Sequence, residues 1–442
     1  MRRLLVIAYM FPPVAGVGIE RTLKHATYLP EHGWQPAIVA PANPGYRLVD
    51  PATLALVPAG TEVHRAVSVE PAHLRRAVGR LIGRTPSGRG PAAATGAAQA
   101  PRGRPHGIAG SAWRAYVELA WFPDEQIGWA PAAIAAGVAA DDANPVDAIY
   151  SSGPPWTSHL VAAAIQGLTA LPWVADFRDP WIGNAYAAPL PAPHRAARKW
   201  LERAVVERAH ASVFASAGVR DGYARRYPPL ADRFVTIHNG YDLDDIGHVP
   251  PSSRAADDGR YRITFTGSIQ GTAEARLLVE GLELLLARRP ELRDQLRLQL
   301  VGWLSPAADT VAGDRLEALA PVVERIGQQP KPLALQAVRE ADAGLVLLAD
   351  EPGRENVPSA KLFDYLGLDR QVLAVVPDGE VRRILAELDW GFGVDPTPDG
   401  LARGIERLMA ADPPTRGADP ERRFERRSLA GRLASVLAGT SR

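Results

Sequence analysis

The chain has no cysteine, only three methionines and four lysines, and no histidine after residue 248. Without cysteine there is no disulfide scaffold, thiol nucleophile, iron–sulfur cluster or cysteine-based zinc site. Its ten histidines include no H-x-x-x-H pair, so no metal site is expected. An excess of charge of one sign is also missing. Fifty Lys plus Arg against 49 Asp plus Glu leave +1, and no global field draws the chain to nucleic acid. No apolar run approaches the ~20 residues of a membrane-spanning helix. Met1-Arg2-Arg3 before Leu4 to Met10 imitates a short signal peptide, but Phe11-Pro12-Pro13 stands where a small-residue cleavage site belongs. The reading is a buried first strand and a cytoplasmic protein.

What is present is a long chain with ordinary globular composition. Its 442 residues, 46% hydrophobic and 22% charged, suit two domains rather than one core. Leu4 to Ala8 is an apolar run closed by a Pro/Gly-rich loop, the pattern of a central parallel strand. A helical pattern follows from Ile19 to Leu29, stopped by Pro30 and Gly33, and Pro36 to Ala40 reads as the next strand. Strand, loop, helix, strand is one βαβ unit. The alternation returns at Asp147 to Tyr150, Trp173 to Ala175 and Ala211 to Ala215. His248 to Gly259 is polar and unperiodic, a linker. Beyond it, strands are expected at Tyr261 to Phe265, Leu296 to Val301, Ala343 to Leu348 and Val372 to Val376, with a last helix near Pro420 to Leu437. The fold class is therefore α/β, with domains at 1–247 and 259–410 and a terminal helix in 411–442.

One stretch stands apart. Pro71 to Val117 holds eight arginines and no acidic residue. Residues 74–84 form a basic amphipathic helix suited to an anionic membrane surface, though a solvated loop face is the plainer reading. Residues 85–110 are Gly/Pro/Ala-rich and expected to be disordered.

Three constellations carry candidate chemistry. In the loop Phe11 to Gly18, Gly16 and Gly18 let backbone amides approach a phosphate at a helix start. A nicotinamide dinucleotide site is disfavoured, because the third glycine of its fingerprint falls at Arg21 and the second strand ends in Ala40-Pro41 without an acid. Asp176 to Trp181 follows an apolar strand and crowds charge, including Arg178 and Asp179, at a strand's carboxyl end. Ser152 follows another strand, with His159 on the next helix; an internal Asp–Arg ion pair is the structural alternative. In Glu355 to Leu366, Pro358 and Ser359 open a helix with free amides, Lys361 adds charge for a diphosphate, and Asp364 suits two ribose hydroxyls. The alternative there is an ordinary amphipathic helix burying Leu362, Phe363 and Leu366. Asp242-Leu243-Asp244 looks like an acidic metal triplet but follows His238 to Tyr241, and is read as a turn.

Together these motifs resemble the GT-B glycosyltransferases, specifically the large retaining family four and its bacterial surface-polysaccharide and glycoconjugate relatives. Phe122-Pro123-Asp124 with Gly128-Trp129, Tyr150 to Pro155, His238 to Asp242 and Thr266-Gly267-Ser268 contribute to the resemblance. It implies two Rossmann-like domains facing across a cleft, the first binding acceptor and the second a nucleotide-sugar, with the last helix crossing back. Carried over, Gly16 and Gly18 meet the donor diphosphate, while Gly267, Ser268, Glu355, Ser359, Lys361 and Asp364 form the donor site. Asp124, Trp129, Ser152 and Arg178 bind acceptor, and Asp179 or His159 orients it. The implied reaction moves a hexose-type sugar to a glycan, lipid-linked or natural-product hydroxyl with retention and without a divalent metal or other cofactor.

Two departures from the family pattern are visible. The family's glutamate pair, eight positions apart, is replaced by Asp364 and Asn356, with Glu355 one place off. The basic residues usual after the Gly267 turn are absent, leaving Lys361 or an arginine from elsewhere to serve. A nucleotide-sugar epimerase of the same fold and a non-catalytic nucleotide-binding scaffold are the rival readings.

Overall fold

The computed structural model describes residues 1–46, 48–81, 120–184, 191–251, 259–412 and 416–440, and the described chain divides into two compact α/β units. The first runs to His238 and takes in the residues from Leu429 onward; the second spans Asn239–Ser428. The division precedes the stretch His248 to Gly259 for a local reason. Tyr241 donates its amide to Phe424 and packs with Phe363 and Phe424 in a core of the second unit.

The first unit is built on β1 (Arg2–Ile7), β2 (Trp34–Pro41), β3 (Glu62–Ala66), β4 (Ala148–Gly153), β5 (Trp173–Phe177), β6 (Ala211–Phe214) and β7 (Phe234–Thr236). All pair in parallel, in the order β3-β2-β1-β4-β5-β6-β7. The strand order reverses between β1 and β4, so the loops after these strands diverge to open the ligand crevice typical of such sheets. β1 and β4 are apolar because helices cover both their faces; Leu4, Leu5, Ile7, Ala148 and Ile149 are fully buried. Leu429, Leu433 and Leu437 of the helix Arg426–Thr440 join the same core.

The second unit repeats the scheme with β8 (Tyr261–Thr266), β9 (Leu296–Val301), β10 (Val323–Arg325), β11 (Ala343–Leu347), β12 (Gln371–Val375) and β13 (Phe392–Val394). The order is β10-β9-β8-β11-β12-β13, again parallel, with its reversal between β8 and β11. Asp242 caps the short helix Leu243–Gly247 by accepting from the amides of Asp244 and Asp245.

The basic segment read from residue 74 is helical over Pro71–Leu81. Residues 82–84 and the stretch 85–110 lie outside the described residues.

Candidate functional site

In the second unit the candidate residues lie where the sheet reverses; in the first they lie after β1, β4 and the next strand, β5, with Asp124 and Trp129 ahead of β4. In the first, the loop after β1 turns at Gly16 (φ 97°) and leads into the helix Glu20–Tyr28. Arg178, just past β5, ties this loop to its neighbours. Its guanidinium donates to the carbonyls of Gly18 and Pro154, and its Nε to Gly153 (3.4 Å). Burial lowers the Arg178 pKa, opposed by Asp179 and Asp176.

Asp176 is an internal group, as the ion-pair alternative holds. Arg21 meets both of its oxygens at 2.7 and 2.8 Å, and Tyr150 donates its hydroxyl at 2.6 Å. Burial opposes its charge, yet Arg21 keeps its pKa below the usual carboxylate value. Ser152, itself buried, completes the set at 3.3 Å.

Asp179 differs: it is half-buried and makes no hydrogen bond among the described residues. Burial pushes its pKa up against the pull of Arg178. The turn beyond it is rigid, because Trp181 donates its amide to Tyr223 and Ile182 to the buried Glu202 (3.0 Å each).

His159 and Trp129 do not face a ligand. His159 lies fully buried among Trp156, Trp173, Phe177 and Trp181, its Nδ1 2.8 Å from the Ser151 hydroxyl. Burial drives its pKa down to about 3, so the ring is neutral at pH 7. Trp129 is equally buried, edge-on to Tyr9. In this arrangement both pack, and neither has surface through which to touch an acceptor. Asp124 accepts from the Thr157 amide (3.0 Å) and hydroxyl (2.6 Å), capping the helix Thr157–Thr169.

In the second unit, Gly267 (φ 98°) turns the chain out of β8. A side chain at Gly302, past β9, would run into the Gly267 carbonyl oxygen, so glycine there lets the two loops touch. Ser268 is half-buried in the same turn. After β11 come the short turn Arg354–Asn356 and the eight-residue helix Ala360–Gly367, entered from Ser359 without a side-chain cap or an acid in its first turn. Its first amides are left for a ligand.

Lys361 sits in that first turn. Its Nζ lies 3.6 Å from the centre of the Phe265 ring and about as close to the open side of Gly267, with no hydrogen bond among the described residues. Burial pulls its pKa from 10.5 to about 7, against the opposing charge of Glu274. Asp364 is half-buried three residues on. Tyr365 fixes the helix to the sheet, its hydroxyl accepting from the Thr266 amide (3.1 Å) and donating to the Leu345 carbonyl (3.2 Å). Glu355 accepts from Asn356 at 2.8 Å and, with Asp350, Asp378 and Asp395, lines an open cavity of about 510 Å³. That acidic cavity suits hydroxyl groups better than phosphates.

Tyr365, Phe265 and Glu274 were not visible as site residues in the sequence. Each is apolar or helical in pattern, and its role arises from contacts between strands far apart in the chain.

No protein-family model matches the chain, and no curated protein matches its sequence. Solved structures do match. Sucrose-phosphate synthase from Thermosynechococcus elongatus aligns over 99% of both chains with a TM-score of 0.59 at 16% identity. A glycosyltransferase from Rickettsia africae covers 99% of this chain and 92% of its own, with a TM-score of 0.56 at 14% identity. HepE of Anabaena, solved in complex with UDP, covers 100% and 97%, with a TM-score of 0.56 at 12% identity. The chain has the two-domain α/β GT-B fold.

Proposed function

We propose that the protein is a glycosyltransferase that takes a sugar, of hexose type, from a nucleoside-diphosphate donor held by the second unit. One observation carries the reading. At the reversal of the second sheet, an ammonium without a hydrogen bond (Lys361) faces an open glycine turn beside the free amides of a helix start. Such a group lacks only an anion. Supporting it, the fold is that of a protein crystallised with UDP.

In this reading Gly267, Ser268, Ser359 and Lys361 hold the diphosphate, Asp364 the ribose, and Glu355 faces the sugar hydroxyls from the acidic cavity. Gly16 and Gly18 offer a second backbone approach to a phosphate in the first unit. Acceptor contacts in the first unit fall to Asp179 and Arg178, with Ser152 and Asp124 as their supports. The acceptor hydroxyl oxygen bonds to the anomeric carbon on the face the diphosphate leaves. The carbon–oxygen bond to the diphosphate breaks, and a phosphate oxygen takes the hydroxyl proton. Configuration is retained, and the leaving charge is met by Lys361 and the helix amides without a divalent metal.

Two further elements belong to the proposal. The helix Pro71–Leu81 presents exposed Leu74, Arg75 and Arg76, a face suited to peripheral contact with an anionic membrane at its cytoplasmic side. A surface-polysaccharide or glycoconjugate acceptor fits such a location.

The test is turnover. With a panel of nucleotide-sugars and candidate acceptors, acceptor-dependent release of nucleoside diphosphate is expected, persisting in EDTA, and the product anomer read by NMR should match the donor. Nucleotide binding without release under any pairing would leave a scaffold. Inversion of a sugar centre without acceptor would make it an epimerase.

A further inference from the structure

Among the buried polar atoms of the first unit that lack partners, two lie on one face of a single helix. The helix Ala192–Arg208 begins with His194, Arg195, Arg198 and Lys199, with neither an acid in its first turn nor a side-chain cap. His194 and Arg198 are four residues apart and share one face. That face meets the segment ahead of Asp124. The Phe122 ring stands edge-on to His194 at 5.5 Å, and Arg198 lies within reach of the Asp124 charge.

Asp124 is already occupied by the Thr157 amide and hydroxyl and by the Gln126 amide. Accordingly Arg198 makes neither a hydrogen bond nor an ion pair among the described residues. Its Nε is buried without an acceptor, as is Nδ1 of His194 one turn away on the same face. Buried polar nitrogens in native structures almost always find partners. Those of Trp129, His159 and Trp181 sit on rings sealed in the core, whereas His194 and Arg198 are only half-buried and open to a ligand. A guanidinium only donates, and an imidazole donates through either nitrogen according to its tautomer. The complement is a ligand rich in acceptors, and the guanidinium fork matches a phosphate geometrically.

We propose that His194 and Arg198 form a subsite in the first unit for an oxyanion of the phosphate-ester class. Under the glycosyl-transfer reading, on which this role but not the binding itself rests, the oxyanion belongs to the acceptor. A soluble phosphomonoester and a lipid headgroup carry the same chemistry.

The experiment uses the full chain bearing Lys361→Met, so that the candidate phosphate cation of the second unit does not contribute. Glycerol 3-phosphate is titrated by calorimetry, and sedimentation is measured with neutral vesicles with and without phosphatidic acid. Saturable binding in either arm is expected, the arm identifying the source. Arg198→Gln should weaken it roughly tenfold or more. Arg203→Gln, on the same helix but paired with Glu207 at the surface, should leave it unchanged. His194→Phe keeps a ring against Phe122 and should weaken binding too, which covers the case of a misfolded Arg198 variant. No binding in either arm, or equal loss with Arg203→Gln, overturns the subsite. Nucleotide binding by the unmodified chain alongside a failed subsite refutes the subsite alone. A sound subsite in a chain that binds no nucleotide refutes the glycosyl-transfer reading alone.

Discussion

Lys361 is costly to the empty protein, because its half-buried ammonium is partly desolvated over the Phe265 ring without a hydrogen bond. Residues of this kind serve a ligand at the expense of stability. Lys361→Met is therefore expected to raise the melting temperature of the ligand-free chain while weakening nucleoside diphosphate by roughly tenfold to a hundredfold, read by scanning calorimetry and titration. The pH dependence has a definite sign. With a folded pKa of about 7 against 10.5 unfolded, the unfolded chain holds more protons between these values, so stability rises with pH across that window. The methionine variant should lose that slope. His159 acts at the acid end. Its folded pKa of about 3 lies below the unfolded 6.5, so its contribution is complete above pH 6.5 and is lost as pH falls toward 3. Urea unfolding across that range should show a shallower acid loss in His159→Gln.

Among the elements, the central strands were legible and the edges were not. β4, β11 and β12 are buried along nearly their whole length and β1 from Leu4 on, so their sequences hold apolar runs that the eye finds. β8 and β9 are buried in part, β9 alternating Leu with half-buried Arg297 and Gln299, and are still apolar enough to read. β3 reads Glu-Val-His-Arg-Ala, and β7, β10 and β13 have three residues each, too short or too polar to declare themselves. The candidate loops were legible because Gly, Pro and charged residues interrupt those runs. Which charges are spent internally was not. Asp176 and Asp179 stand three residues apart, yet Arg21, 155 residues away in sequence, saturates one and leaves the other. Gly302 was equally silent, since its importance is the touching of two loops. Gly302→Ala would drive a methyl into the Gly267 carbonyl, and is expected to reduce nucleotide affinity roughly tenfold with far-UV dichroism unchanged.

At the scale of the whole molecule, the chain returns to its first unit after completing its second. Leu433 on the helix Arg426–Thr440 is fully buried in the first core, far in sequence from the strands it covers. Leu433→Ala should cost about 2–5 kcal/mol and lower the melting transition of the first unit, read by calorimetry. Nucleotide binding by the second unit at lower temperature should persist.

The most direct test of the central claim is a thermal-shift panel of UDP, GDP, dTDP, CMP, their common sugars and NAD on the intact chain. A ligand that binds only the native fold raises its melting point. The account predicts a rise with one class of nucleoside diphosphate, sharply reduced in Lys361→Met and in Asp364→Ala. A rise with NAD alone, no rise with any nucleotide, or a rise that both variants leave intact would contradict it.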